Sequence, residues 1–221
     1  MKLLAGVLAV GGLLALGYWA FEQVRARLFQ ARGIRHFSDQ PRRQAEPAEP
    51  DATFPPNPDP GSPVALLTIP RLGLSALVLE GAGESQLKLG PGHIPGTPFP
   101  GGGANFALAG HRDTFFRPLR LVRRNDAIVV AVHDRVYHYQ VVATSIVGPR
   151  DVRVLQPADH DILTLVTCYP FDFLGAAPQR FIVRADCLDC IAESTAADAA
   201  SWRNRFAIIK PSRFVGAILF P

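Results

Sequence analysis

The chain has 221 residues, 48% of them hydrophobic, and a formal net charge of +4. This length and composition predict one folded domain of ordinary size with appended segments. The positive charge is small and concentrated near the N-terminus, without the clustered basic and aromatic residues of a nucleic-acid-binding protein, so we expect no nucleic-acid partner. The 20 prolines and 19 glycines favour short strands and frequent turns over long helices.

The N-terminal segment is apolar. Residues 3–21 contain no charged side chain and as a helix would span about 28 Å, close to the thickness of the hydrocarbon core of a bilayer. Tyr18 and Trp19 fall at the far end, where interfacial aromatic residues are common. A cleaved signal peptide is the alternative, but its apolar region is usually shorter, about 7–15 residues. We therefore predict an uncleaved membrane anchor which, with its basic flank, occupies residues 1–37.

The next segment is rich in proline. Residues 38–63 hold eight prolines and almost no aliphatic residues, so this segment cannot form a core and is predicted to be an extended, semi-rigid linker. Such a linker would set the distance between the membrane and the folded body.

The folded body is predicted at residues 64–186. Its apolar runs are short, with turn residues between them, and two helical turns are indicated at 84–88 and 115–122. The predicted strands are 65–69, 75–79, 106–109, 127–132, 136–146, 162–167 and 181–185. This pattern predicts an all-β barrel or sandwich. Residues 187–221 lack clear alternation and form a C-terminal extension of unknown role.

A cysteine lies at the end of one apolar run. Cys168 follows Leu-Thr-Leu-Val-Thr and precedes Tyr169 and Pro170, and proline cannot donate to a strand ladder. Strand alternation places Val166 and Cys168 on one face and Leu165 on the other. We therefore expect the sulfur at a strand end that a substrate can approach. A cysteine nucleophile also needs a proton donor and a group that stabilises an oxyanion.

Two other strand ends carry suitable side chains. His111 follows an apolar run that stops at Gly110, and Arg180 opens the last predicted strand. Arg184 faces the same way as Arg180 and is the alternative for its role. The remaining candidates among the histidines are interpreted as structural: His93, His133, His138 and His160. Spacing alone leaves open whether Cys168, His111 and Arg180 converge.

Two segments of the chain resemble the sortases, the cysteine transpeptidases of bacterial cell surfaces. LTLVTC, ending at Cys168, is similar to the sortase Thr-Leu-x-Thr-Cys signature, and LAGHRD, around His111, is similar to the segment that bears the sortase histidine. The downstream PQRFIVRA supplies Arg180 in the same order. The likeness covers residue 64 to about residue 186, and its overall pattern is similar to the class D-like group, including sortases of Gram-negative bacteria.

The resemblance implies an eight-stranded β-barrel with short helices behind a transmembrane helix. It implies Cys168 as nucleophile, His111 as general acid and base, and Arg180 as the clamp for oxyanion and substrate, with Thr167 as a candidate substrate contact. The implied reaction cleaves a C-terminal LPxTG-like sorting signal, holds the acyl group as a thioester and transfers the protein to an amine. The implied partners are a surface protein that bears the sorting signal, an amine acceptor and the membrane.

The resemblance also implies a catalytic domain on the extracytoplasmic side, in the periplasm or at the cell surface. The arginines after the apolar span would by themselves favour the opposite orientation, although a large domain can still be translocated. Two alternative functions remain open at this point: a hydrolase of the same fold that uses water in place of the amine, and a non-catalytic protein that binds sorting signals.

Cys187 and Cys190 are the other two cysteines. They could pair locally only with each other, leaving Cys168 free, or remain as two unpaired thiols. A zinc site would need two further ligands, and the sequence presents no nearby pair. We therefore predict no metal and no cofactor.

Overall fold

A computed structural model of the chain describes residues 2–38, 43–44, 58–101, 105–133, 135–173 and 175–190. Most of the predicted linker and of the C-terminal extension therefore lie outside the described residues. The helices are α1 (Lys2–Ser38) and α2 (Glu84–Leu87). The strands are β1 (Arg43–Gln44), β2 (Pro63–Ile69), β3 (Leu74–Glu80), β4 (Gly92–His93), β5 (Asn105–Gly110), β6 (Ala127–Val132), β7 (Arg135–Val147), β8 (Ile162–Tyr169) and β9 (Gln179–Cys187). Single 3₁₀ turns occupy Pro70–Leu72, Arg117–Leu121 and Val152–Leu155.

The strands form one sheet in the order β1-β7-β6-β2-β3-β4-β5-β8-β9. An additional antiparallel pairing between β7 and β9 closes strands β2 to β9 into a barrel, so the predicted eight-stranded barrel is confirmed. Strand β1 lies outside the ring, parallel to the start of β7. The barrel strand that the sequence pattern missed is β4, which is only two residues long and too short to show alternation.

The interior of the barrel is filled by one apolar cluster. Alternate residues along β3 and along β5 to β9 contribute to it, as a pleated strand requires. Leu163 and Leu165 of β8 lie in this cluster, whereas Val166 and Cys168 lie in a second cluster on the outer face. The predicted division of β8 into two faces is therefore confirmed.

The second cluster covers the outer face of β5, β8 and β9. It includes Ala109, Val166 and Ile182 from the strands and Leu87 from α2. Because both faces of β8 are covered, its burial is continuous from Ile162 to Cys168. This is the face of the sheet on which the cysteine lies.

Helix α1 has two halves with different surroundings. Up to Phe21 its described side chains are exposed, and its apolar span is long enough to cross a membrane, with a mean hydropathy of 1.9. From Glu22 to Phe37, buried or half-buried residues recur every three or four positions, which is the stripe of a helix packed on a protein surface. The second half of α1 thus docks on the barrel.

The docked half of α1 is held by both polar and apolar contacts. The Gln30 side chain accepts from the backbone N–H of Leu77 at 2.7 Å and donates to the carbonyls of Leu77 and Leu89 at 3.1 and 2.7 Å. Phe37 packs with Leu66 and Leu77 in a third apolar cluster. The helix therefore reaches the barrel before residues 38–63 begin. The role of that segment as a spacer stays a prediction.

Candidate active site

Cys168 and Arg180 are direct neighbours across β8 and β9. The two residues are partners in the antiparallel register, and their side chains therefore lie on the same face. Both side chains are buried, with 3% and 2% of their surface exposed. Arg184 pairs with Thr164 instead; it is exposed and lies about 13 Å further along the strand. The structure thus distinguishes Arg180 from the alternative arginine.

His111 lies at the neighbouring strand end. Strands β5 and β8 are parallel, with Gly110 beside Thr167, so His111 and Cys168 are the next residues along two adjacent strands. Neighbouring strands lie about 4.8 Å apart. Cys168, His111 and Arg180 are therefore brought together at one end of β5, β8 and β9.

Thr167 links the two strands. It is fully buried, and its hydroxyl donates to the Gly110 carbonyl at 2.7 Å. The hydroxyl is therefore engaged within the protein, between the residue before His111 and the residue before Cys168. Its expected contact with substrate stays a prediction.

The sulfur of Cys168 is more enclosed than the sequence suggests. It lies in the outer-face cluster together with Ala177, which belongs to the loop between β8 and β9. The expectation of an openly approachable thiol is therefore wrong for this conformation. The sulfur is enclosed because α2 and the loop after β8 cover the outer face of the strand. A peptide that reaches the sulfur must displace part of this cover.

The charge state of the site follows from burial. Burial raises the pKa of the Cys168 thiol, and the charges of Arg180 and Arg112 oppose this increase. Burial also lowers the pKa of His111, and Asp113 and Glu84 act in the opposite direction. At neutral pH the resting site therefore holds a protonated thiol and a neutral imidazole.

Arg180 is fixed by the start of its own strand. Its Nη1 donates to the carbonyls of Ala177 and Gln179 at 3.0 and 2.9 Å. Burial lowers the pKa of Arg180, and the negative charge of Cys168 in its thiolate form raises it. Because arginine remains protonated in proteins, the site keeps a positive charge beside the sulfur.

Arg112 is a residue whose place the sequence did not reveal. Its Nη2 donates to the carbonyls of Phe173 and Gly175 at 2.7 and 2.8 Å, and its Cζ lies 5.9 Å from the centre of the Phe173 ring. Its other terminal nitrogen, Nη1, is buried and has no hydrogen-bond partner among the described residues. Because Arg112 directly follows His111, these hydrogen bonds hold the loop between Cys168 and Arg180 next to the histidine.

Helix α2 also borders the site. Lys88 Nζ and Glu84 Oε1 form an ion pair at 2.7 Å, and both charges act on the pKa of His111. The pair lies at the i and i+4 positions that allow such contact on a helix surface. The imidazole therefore has charged neighbours from α2 as well as from its own loop.

Other histidines have structural partners. His93 is buried, with Nδ1 at 2.6 Å from Glu80 Oε2 and Nε2 at 3.0 Å from the Thr97 hydroxyl. His138 Nδ1 lies 2.5 Å from Asp189 Oδ2. These contacts fit the structural interpretation of both residues.

Cys187 and Cys190 form a disulfide at the end of β9, and Cys168 is a free cysteine. The pairing is the one that the sequence allowed. Asp189 lies beside the two sulfurs and accepts from the His138 backbone N–H at 2.9 Å. The disulfide turn is thereby fastened to β7, at the opposite end of β9 from Arg180.

Comparisons with known proteins agree with this geometry. A family model described as the sortase domain matches residues 67–188. Sortase D of Bacillus subtilis (strain 168) is 30% identical over 155 residues, covering 70% of this chain and 74% of that protein. Sortase A of Streptococcus agalactiae serotype III (strain NEM316) is 28% identical over 141 residues, covering 60% of this chain and 55% of that protein.

Solved structures share the barrel. The Clostridium perfringens Sortase D5 transpeptidase matches with a TM-score of 0.52 and 27% identity, covering 57% of this chain and 79% of its own. Sortase A from Corynebacterium diphtheriae matches with a TM-score of 0.55 and 28% identity, covering 62% of this chain and 65% of its own. The matched region holds the cysteine, the histidine and the arginine gathered at one strand end, and this chain belongs to the sortase family of cysteine transpeptidases.

Proposed function

We propose that this protein is a membrane-anchored transpeptidase in which Cys168, His111 and Arg180 carry the reaction. Its substrate is a surface protein with a C-terminal LPxTG-like sorting signal, and the apolar half of α1 holds the enzyme in the membrane with the barrel on the extracytoplasmic side. The observation that supports this proposal best is the register. Cys168 faces Arg180 across β8 and β9, and His111 follows the neighbouring strand at the same level.

The proposed cycle begins with the Cys168 thiolate. It attacks the threonyl carbonyl carbon of the sorting signal, and the Arg180 guanidinium stabilises the oxyanion that forms. His111, as imidazolium, donates a proton to the departing amine as the carbon–nitrogen bond breaks, which leaves a thioester on Cys168. An incoming amine then loses a proton to His111 and displaces the sulfur.

The enclosure of the site shapes the first step. Because burial raises the thiol pKa and lowers the imidazole pKa, the reactive pair of thiolate and imidazolium is a minor form at rest. The charge of Arg180 beside the sulfur favours the thiolate of that pair, whereas the charge of Arg112 lowers the pKa of both groups.

Mass spectrometry of the full-length protein in detergent, incubated with a library of sorting peptides, tests the proposal. We expect a covalent acyl adduct on Cys168 and its conversion to ligated product when an amine is added. Cys168→Ala should abolish both while the barrel remains folded by circular dichroism. An unchanged level of transfer by this variant would refute the assignment of the nucleophile.

The arginine assignment has a matched control within one strand. Arg180→Ala should reduce acyl transfer strongly, by about a hundredfold or more as expected for an oxyanion-stabilising group. Arg184→Ala, an exposed position four residues along β9, should leave it nearly unchanged. Equal losses in the two variants would contradict the role of Arg180.

The same assay separates the alternative functions. Adduct formation followed only by release of free acid, with or without amine, would identify a hydrolase. Binding of sorting peptides without any adduct in the wild-type protein would identify a non-catalytic receptor.

A further inference from the structure

We propose that the side of the barrel that holds the active site faces the lipid surface, with α2 at the level of the lipid headgroups, because the docked half of α1 fixes the barrel on its own membrane anchor. This inference rests on the membrane anchoring proposed above and adds an orientation to it. It assigns to α2 (Glu84–Leu87) and the adjoining Lys88 an interaction surface whose partner is the bilayer.

The first step is the continuity of α1. One helix runs from Lys2 to Ser38 without a break, so the axis of the apolar half fixes the direction of the docked half. Gln30 is bonded to Leu77 and Leu89. Gly33 lies so close to Leu77 that an added Cβ would come within 2.3 Å of its side chain. The barrel therefore sits directly on the helix.

The second step places α2 at the membrane end of the docked half. Tyr18 and Glu22, where the exposed apolar half gives way to the docked half, lie close enough to Lys88 for their charges to act on its pKa, which Glu84 raises most. Tyrosines and tryptophans favour the membrane interface, and Tyr18 and Trp19 mark that level on α1. The C-terminal end of α2 therefore lies beside the interface.

The third step connects α2 to the catalytic residues. Leu87 packs in the same apolar cluster as Cys168, while Leu89, two residues later, packs in the cluster that holds α1. Glu84, the first residue of α2, acts on the pKa of His111. The short stretch from Glu84 to Leu89 thus lies between the anchor helix and the active site.

The fourth step locates the opposite side. Leu77, Leu66, Ala131 and Val136 are cross-strand neighbours in a row over β3, β2, β6 and β7, and all four belong to or pack against the α1 cluster. The docked half of α1 begins beside Lys88. Further along, the Gln30 side chain is hydrogen-bonded to the backbone of Leu77, the first residue of this row. Toward Phe37 it therefore moves away from the membrane in the direction of β6 and β7. Strand β6 lies on the distal side of the barrel.

The orientation has a direct consequence for the substrate. A peptide attached to the same bilayer can present a bond close to its membrane attachment to Cys168 without passing around the barrel.

Fluorescence quenching in vesicles tests the orientation. Full-length protein carrying Cys168→Ala, with a bimane probe on Ser85→Cys or on Ala127→Cys, is placed in phosphatidylcholine vesicles with and without a headgroup nitroxide lipid. Both positions are exposed; Ser85 lies on α2 and Ala127 on β6. We expect quenching of the Ser85 probe to exceed that of the Ala127 probe several-fold. Equal quenching in protein that floats with the vesicles would overturn the orientation.

Flotation keeps this result separate from the proposed anchoring. Protein that does not float with the vesicles would contradict the membrane anchor itself, and with it the orientation. A variant with Gln30→Ala and Gly33→Leu, which keeps the apolar half of α1, should still float but lose most of the difference between the two probes. An undiminished difference in that variant would show that the docked half does not set the orientation.

Discussion

The hydroxyl of Thr167 and the carbonyl of Gly110 are joined by a hydrogen bond of 2.7 Å. These residues immediately precede Cys168 and His111, so one bond ties together the two strand ends from which the proposed nucleophile and the proposed acid project. It acts in addition to the backbone ladder of β5 and β8. The Thr167 side chain therefore helps to fix the distance between the ends of β5 and β8, in addition to packing within the sheet.

Thr167→Val should reduce acyl transfer by about tenfold, mainly in kcat, because it preserves the shape of the side chain but removes the donor to Gly110. Small displacements of reacting groups reduce rates strongly. Thr167→Ser keeps the hydroxyl and should retain most of the activity. Steady-state kinetics with a sorting peptide measures both. A rise in KM alone would instead favour the predicted substrate contact.

Gly110→Ala should reduce the rate by about ten- to a hundredfold, because a Cβ at this position would lie 2.6 Å from the ring of Phe116. The phenyl ring is fully buried in the barrel interior, so the backbone that carries His111 must move. Gly148→Ala is a matched control because a Cβ there would meet no atom of the described residues within 4 Å. Comparable losses of activity in the two variants would contradict this explanation.

The pH profile of kcat/KM should be bell-shaped, with limbs further apart than the ordinary pKa values of about 6.5 for histidine and 8.5 for cysteine. The acidic limb reports His111, whose pKa is lowered, and the alkaline limb reports Cys168, whose pKa is raised. Alkylation of Cys168 by iodoacetamide measures the thiol separately, and its midpoint should lie above the ordinary value. A midpoint below it would mean that the ion pair is already formed at rest.

Arg112→Met should move both limbs of that profile to higher pH. The positive charge of Arg112 lowers the pKa of Cys168 and of His111, so its loss raises both. Arg112→Lys retains the charge and should leave the limbs nearly in place. Both variants lose the paired bonds to Phe173 and Gly175, so the limiting alkylation rate at high pH should increase in both. If the limbs of the pH profile do not move in Arg112→Met, Arg112 has only a structural role.

Much of the barrel was predictable because its strands alternate. Val166 and Cys168 could be assigned to the same face because side chains alternate along a single strand. The nearness of His111 to Cys168 does not, because it depends on a parallel pairing between segments 57 residues apart. No local pattern records which strands become neighbours, and only the resemblance to a known family implied that these residues work together.

The enclosure of Cys168 and the docking of α1 were missed for different reasons. An outer face is covered by other parts of the chain, so the alternation of β8 does not report its cover, although an uninterrupted apolar run is typical of a strand buried on both sides. The docking stripe of α1 was present in the sequence. Its members include Ala26, Gln30, Gly33 and Phe37, but small and polar residues there conceal the helical period.

The continuous α1 has a practical consequence for the preparation of this protein without the apolar first half of the helix. A truncated protein that starts after the proline-rich segment would lack the helix that covers Leu66, Leu77 and Leu79, which are buried in the α1 cluster. Its barrel would therefore expose an apolar surface. Such a protein should self-associate and lose solubility. A shortened protein that begins near Glu22 would keep the docked half of α1 over that apolar surface and should remain monomeric.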